Sequence, residues 1–188
     1  MASFTREELE SFRGREVPDL IGPDLRLLFV GINPGLWTAA TQTHFAHPGN
    51  RFYPALLKAG IIVDPISPSD GMSDADRDAV RARGIGITNV VARATARADE
   101  LTKEEYVAGG ARLRRLVEER RPTVVAIAGI TAYRSAFKQP KATTGRQGED
   151  WGDSQVWVVP NPSGLNAHAT VDSLAEAYAE AARAAGVL

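Results

Sequence analysis

The sequence predicts an α/β fold, a mostly parallel sheet of four to five strands with helices covering both faces. Three observations predict it. Short, largely apolar runs recur at residues 25–30, 85–91, 124–128 and 155–159, as expected of strands buried on both faces. Between them lie segments of helical period, several opened by Ser or Thr and closed by Gly or Pro. Finally, 188 residues with 44% hydrophobic content suit one domain around one sizeable core. Residues 1–188 are therefore read as a single domain with a lead-in over 1–24.

Taken in order, Thr5 with Glu8 has the form of a capping box and predicts a helix over about 6–13, ended by Pro18 and Gly22-Pro23. The run 25–30 (LRLLFV) followed by Gly31 is the first strand. Residues 32–49 contain Pro34, Gly35, Pro48 and Gly49 without a sustained helical period, and are predicted as a loop. Phe52, Leu56 and Leu57 restore helical spacing up to Gly60. A connector rich in Pro, Ser and Asp covers 61–72, a helix over 74–83 follows a Ser73 cap, and the second strand spans 85–91. Thr102 with Glu105 opens a long amphipathic helix to about 121, with Leu113, Leu116 and Val117 on one face. Pro122 stops it. The third strand is 124–128, a helix covers 131–137, the fourth strand is 155–159, and an alanine-rich helix closes the chain over about 170–185. Arg134, Lys138, Lys141 and Arg146 form a basic stretch with no acidic residue before Glu149, either a solvated loop or a contact for phosphate.

Composition excludes several kinds of chemistry. The chain has no cysteine, so disulfides, thiolate metal sites and cysteine nucleophiles are absent. A net charge of −1 argues against a protein that coats nucleic acid by neutralising many phosphates. No apolar run approaches the ~20 residues of a membrane-spanning helix, and the N-terminus lacks a basic-then-apolar leader pattern. The expectation is a soluble, monomeric, cytoplasmic protein. GxGxxG and GxxxxGK[ST] are both missing, which weakens a nucleotide-cofactor reading.

In a parallel sheet, ligands bind at the carboxyl ends of the strands. Three predicted strand exits carry polar, turn-forming residues: Gly31-Ile32-Asn33-Pro34-Gly35, Thr88-Asn89, and Asn161-Pro162-Ser163-Gly164-Leu165. They are distant in sequence, yet the fold gathers them around one cleft. Alone, the first is equally a tight turn. Ser163 suggests a hydrolase, but no GxSxG elbow accompanies it. His44, His47 and His168 suggest a metal, but they lack the i, i+4 helical arrangement of a ligand pair.

Together GINPGL at 31–36, FAHPGNRF at 45–52, GIT at 86–88 and NPSGL at 161–165 resemble the mismatch-specific uracil/thymine DNA glycosylase family in order and spacing. The similarity runs from about Val17 into the last helix. It implies a three-layer α/β/α sandwich of the uracil-DNA glycosylase type, and a partner in double-stranded DNA carrying a mismatched or deaminated base. It implies neither metal nor other cofactor. Asn33 would position the water that attacks the sugar, Phe45 would stack on the flipped base, and Ile32 would line the pocket with its backbone. Gly35 and Ser163 complete the expected ligand contacts. Gly164 and Leu165 would enter the duplex where the base has left, flanked by Asn166 and His168. Many relatives carry an arginine two residues after the leucine, where this chain has Ala167. Asn89 is either a turn residue or a cleft residue that orients Asn33 or the water. The rival readings are a non-catalytic nucleotide or nucleic-acid-binding α/β module and a small-molecule hydrolase using Ser163.

Overall fold

The computed structural model describes residues 2–188. Strands β1 (Leu27–Gly31), β2 (Ile85–Asn89), β3 (Val124–Ala128), β4 (Gly145–Trp151) and β5 (Ser154–Val159) form one sheet in the order β2-β1-β3-β5-β4. All neighbours are parallel except β4 with β5. The helices are α1 (Arg6–Glu10), α2 (Leu36–Thr41), α3 (Phe52–Lys58), α4 (Asp74–Ala82), α5 (Lys103–Arg120), α6 (Ile130–Phe137) and α7 (Val171–Ala184).

Alternation along the strands divides the interior into two cores. Leu27 and Phe29 of β1 face Phe52, Leu56, Leu174 and Tyr178 of α3 and α7. Leu28 and Val30 face Leu113, Val117 and Tyr133 of α5 and α6. Both faces are covered, which is why β1 and β3 read as unbroken apolar runs. Four helices begin with reciprocal caps, at Thr5, Ser73, Thr102 and Thr170, each relieving backbone donors that a helix start leaves unpaired. The lead-in closes the sheet edge: Leu20 and Ile87 exchange backbone bonds of 2.9 and 2.8 Å, so β2 offers no free edge there.

The fold class is as predicted, with local differences. The first helix is shorter than 6–13, and the second strand stops at Asn89 instead of 91. Residues 32–49 are not all loop, because α2 lies within them; its six residues are too few to show a period, and its cap, Gly35, has no side chain to announce it. The fifth strand, β4, has the sequence GRQGEDW and alternates half-buried with exposed positions. Its glycines and charges hide it from a search for apolar runs, and it is tolerated as an edge strand returning through Gly152 (φ +62°). The basic stretch 134–146 consequently runs from α6 into β4. The Arg134 guanidinium donates to the Ala142 carbonyl at 2.6 and 3.0 Å, and Arg146 pairs with Asp150 at 2.8 Å.

Helix α5 sits unusually close to the segment that follows β2. A Cβ on Gly109 would stand 2.2 Å from the Val90 carbonyl oxygen, and one on Gly110 would stand 2.7 Å from that of Ala136. Gly109→Ala gains about 1 kcal/mol of helix propensity, but the clash with rigid backbone outweighs it. The expected result is a net loss of about 1–3 kcal/mol in denaturant unfolding. Gly148→Ala, whose added methyl meets nothing within 4 Å, serves as the comparison and should change stability much less. Equal stabilities for parent and Gly109→Ala would show that α5 can shift freely away from Val90.

Candidate active site

Parallel pairing places the carboxyl ends of β1, β2, β3 and β5 on one side of the sheet. Asn33 leaves β1 there, half-buried, and its amide is held by the segment beyond β2. Its Nδ2 donates to the Arg93 carbonyl at 2.9 Å and to Thr95 Oγ1 at 2.8 Å, with a longer contact to the Pro34 carbonyl at 3.2 Å. The Thr95 hydroxyl spends its own proton on the Arg97 carbonyl at 2.7 Å, so toward Asn33 it can only accept. Both principal partners of Nδ2 are therefore acceptors, and the amide has one orientation. Among the described residues none donates to Oδ1.

The segment supplying these acceptors is anchored from α5. Arg93 makes a two-pronged ion pair with Glu105 at 2.7 and 3.1 Å. The guanidinium, with the Thr102 N–H, holds the Glu105 carboxyl down to about 2. Thr95 N–H donates to the Pro34 carbonyl at 3.1 Å, tying the β1 exit to the same segment. Arg112 on α5 donates to the Asn89 carbonyl.

Asn89 is buried, at 7% exposure, at the end of β2. Its amide is oriented by His44. The His44 Nε2 lies 2.9 Å from the Pro18 carbonyl, which can only accept, so the proton is on Nε2 and Nδ1 offers a lone pair. Asn89 Nδ2 donates to that lone pair at 3.2 Å. Asn89 Oδ1 then rests over Gly31: a Cβ there would lie 2.4 Å from it and 3.2 Å from the Phe45 ring. Glycine is required by this close approach of a side chain to the strand exit. Phe45 has a left-handed backbone (φ +56°) and stacks one face on Phe52, with centroids 4.1 Å apart. It is only half-buried.

The third exit is the loop after β5. Ser163 N–H donates to Asn161 Oδ1 at 2.9 Å and Ser163 Oγ accepts from Leu165 N–H at 3.2 Å. The Asn166 amide bridges the Asn161 carbonyl at 3.0 Å and the His168 N–H at 3.3 Å. Leu165 projects with 91% exposure. Gly164 abuts the neighbouring loop, since a Cβ on it would lie 2.8 Å from the Gly49 carbonyl oxygen.

The fold thus gathers Asn33, Asn89 and Phe45 at the β1 and β2 exits, with Ile32 half-buried beside them. It sets Ser163, Gly164, Leu165, Asn166 and His168 on one adjoining loop. Gly35 is exposed at the start of α2. Ser163 Oγ serves its own turn, and among the described residues no histidine is hydrogen-bonded to it. Sequence reading named Asn33 and Asn89 but not their holders Thr95, Arg93 and His44. Arg51 and Asn161 fall inside the FAHPGNRF and NPSGL motifs, but their part in ordering the last loop is not read from those motifs. Thr95, Arg93, His44 and Arg51 act on partners distant in sequence, so no local pattern discloses those roles. Among the described residues no group of three or more His, Cys, Asp or Glu is placed to hold a metal ion. The hollows between α5 and α6, and beside α7 at the β4–β5 edge, contain neither Asn33 nor Asn89.

Residues 18–182 match the family model described as the Uracil DNA glycosylase superfamily. The fold is also similar to the solution NMR structure of a candidate uracil DNA glycosylase from Methanosarcina acetivorans. The TM-score is 0.63 at 16% identity, covering 91% of this chain and 98% of that one.

The His44–Asn89 contact makes a pH prediction. Burial pushes the His44 imidazole below its ordinary value, outweighing the opposing influence of the Pro18 carbonyl and Asp19; Arg77 acts in the same sense as burial. In the unfolded chain the ring protonates near its usual ~6.5; in the fold it resists. Its contribution to stability is complete above that pH and is lost as pH falls toward the lowered folded value. Parent and His44→Gln should therefore differ in the slope of unfolding free energy against pH within that window and run parallel above it. The same slope in both would mean that His44 is not held neutral.

Proposed function

From the place of this chain in the Uracil DNA glycosylase superfamily, to which it belongs, we propose that it is a monofunctional DNA glycosylase acting on mismatched duplex DNA. It flips out a uracil, or a related deaminated or thymine-like base, and hydrolyses the bond to the sugar with water as nucleophile. The observation that carries this reading is the locked amide of Asn33 at the β1 exit, whose Nδ2 is held by two acceptors while no described residue donates to its Oδ1.

An amide oxygen is a weak base, so it suits a reaction that does not need a strong one. Departure of a base from deoxyribose gives the sugar oxocarbenium character before the nucleophile bonds. A water accepting little more than direction from Asn33 Oδ1 is then sufficient, and it passes its proton to bulk water as the new C–O bond forms. The electron pair of the broken C–N bond goes to the departing pyrimidine, and backbone N–H groups around Ile32 and Gly35 stabilise that anion as an oxyanion hole would. Phe45, backed by Phe52, offers its free face to the flipped base; such stacking is worth ~1–3 kcal/mol. Asn89 presents a fixed amide beside that face and contributes to base choice. Thr95 acts as a positioning residue through its bond to Asn33.

Leu165 supports the duplex half of the reading. An apolar side chain with 91% exposure is poorly placed in water but well placed to fill the gap left in a base stack. The loop beneath it is internally hydrogen-bonded, so it keeps its shape as it enters. A phosphate contact from the position of Ala167 is missing, and His168 is the nearest substitute.

The test is a duplex with one G·U pair, treated with excess enzyme and then with alkali to cut abasic sites. The parent chain should cut it, whereas binding without strand breaks would favour the non-catalytic module. Asn33→Ala should bind the duplex nearly as well but lose ~10²–10³ in single-turnover rate, the usual cost of one well-placed oriented group. Excess enzyme is needed because slow product release would mask a damaged chemical step. Asn33→Ala cutting at the parental rate would remove Asn33 from the mechanism.

A further inference from the structure

Arg51 caps the start of α3, far in sequence from the loop that carries Leu165, and yet it collects that loop's carbonyls. Its Nη2 donates to Ser163 O at 2.6 Å and to Asn166 O at 2.7 Å, and its Nη1 donates to Ala169 O. Its own backbone N–H takes Pro162 O at 3.0 Å. Backbone carbonyls rarely converge on one point, because their dipoles repel unless a cation sits between them. Here the cation is a rigid planar fork, which a flexible ammonium does not reproduce. Part of the guanidinium is enclosed: its Nε is buried and without a hydrogen bond among the described residues.

The consequence follows from peptide geometry. In a trans peptide the C=O and the following N–H point in opposite directions, and no cis bond occurs among the described residues. Drawing Ser163 O and Asn166 O inward turns the N–H groups of Gly164 and Ala167 outward. Both residues are exposed, and neither amide has a backbone or side-chain acceptor among the described residues. Arg51 also lies next to Asn50 and Gly49, and the Gly49 carbonyl is the surface on which Gly164 rests. The strip that contains Phe45 and the strip that contains Leu165 are thereby fastened to each other.

We propose that Arg51 is a positioning residue for base extrusion: it holds the 163–169 loop rigid, with Leu165 raised and the Gly164 and Ala167 amides presented to the DNA. This rests on the glycosylase reading above. The role is needed when a paired base has to be pushed out and is dispensable when the base has no partner to leave. A residue required only for folding, or for the chemical step, makes no such distinction.

The experiment compares two duplexes under single-turnover conditions, one with G·U and one with uracil opposite an abasic spacer. Charged hydrogen bonds of this kind convert to about tenfold or more in rate when lost. Arg51→Met should lose at least that on G·U and markedly less on the unpaired uracil, and Arg51→Lys should show the same selectivity to a smaller degree. Melting curves establish that each variant is folded at the assay temperature, and if Arg51→Met is not, Arg51→Lys decides by the same ratio. Equal losses on both duplexes, or none on either, overturn the proposal. A parent chain that cuts neither duplex overturns the glycosylase reading instead, so the two failures are distinguishable.

Discussion

A primary amide has two N–H groups, and in a half-buried site both need acceptors. For Asn33 these are the Arg93 carbonyl and the Thr95 hydroxyl, and much of the surrounding architecture serves to keep them in place. Arg93 is fixed by Glu105, Glu105 belongs to the cap that starts α5, and α5 reaches the segment only because Gly109 has no side chain. Thr95 is fixed twice, by its amide on Pro34 and its hydroxyl on Arg97. The orientation of one side chain thus depends on a helix that contributes no direct contact to it.

The second amide of the cleft is handled by the same logic with different parts. A buried imidazole, neutral and tied to the Pro18 carbonyl, accepts from Asn89 and leaves its oxygen over Gly31. Phe45 shows what the arrangement costs. A left-handed backbone at a residue with a bulky side chain is unfavourable by about 1–3 kcal/mol, and stacking on Phe52 offsets only part of it, about 0.5–1.5 kcal/mol. The remaining strain is consistent with the proposed stacking of Phe45 on a flipped base.

What the sequence disclosed and what it concealed divide along one physical line. Strands β1 and β3 were legible because burial on both faces forces unbroken apolar runs, and the caps at Thr5, Ser73 and Thr102 were legible because capping is local. Asn33, Phe45 and Leu165 stood out as members of short motifs. Strand β4 escaped because an edge strand needs no apolar run, and α2 because one and a half turns have no period. Thr95 lies 62 residues from Asn33, His44 45 from Asn89, and Arg51 as many as 118 from its loop carbonyls. A sequence names members of short motifs more readily than the distant residues that hold them, since the latter are chosen by contacts that exist only after folding.

The central claim, that a fixed amide oxygen on Asn33 directs the attacking water, is tested most directly at Thr95. Thr95→Ser keeps the hydroxyl acceptor and Thr95→Val removes it with little change in shape. Single-turnover cleavage of a G·U duplex should remain near the parental rate in the serine variant. In the valine variant it should fall by about tenfold or more, the cost of an unpaired N–H that frees the amide to turn. Duplex binding should hold in both. Equal rates in parent, serine and valine variants would contradict the claim and leave Thr95 as a residue of packing alone.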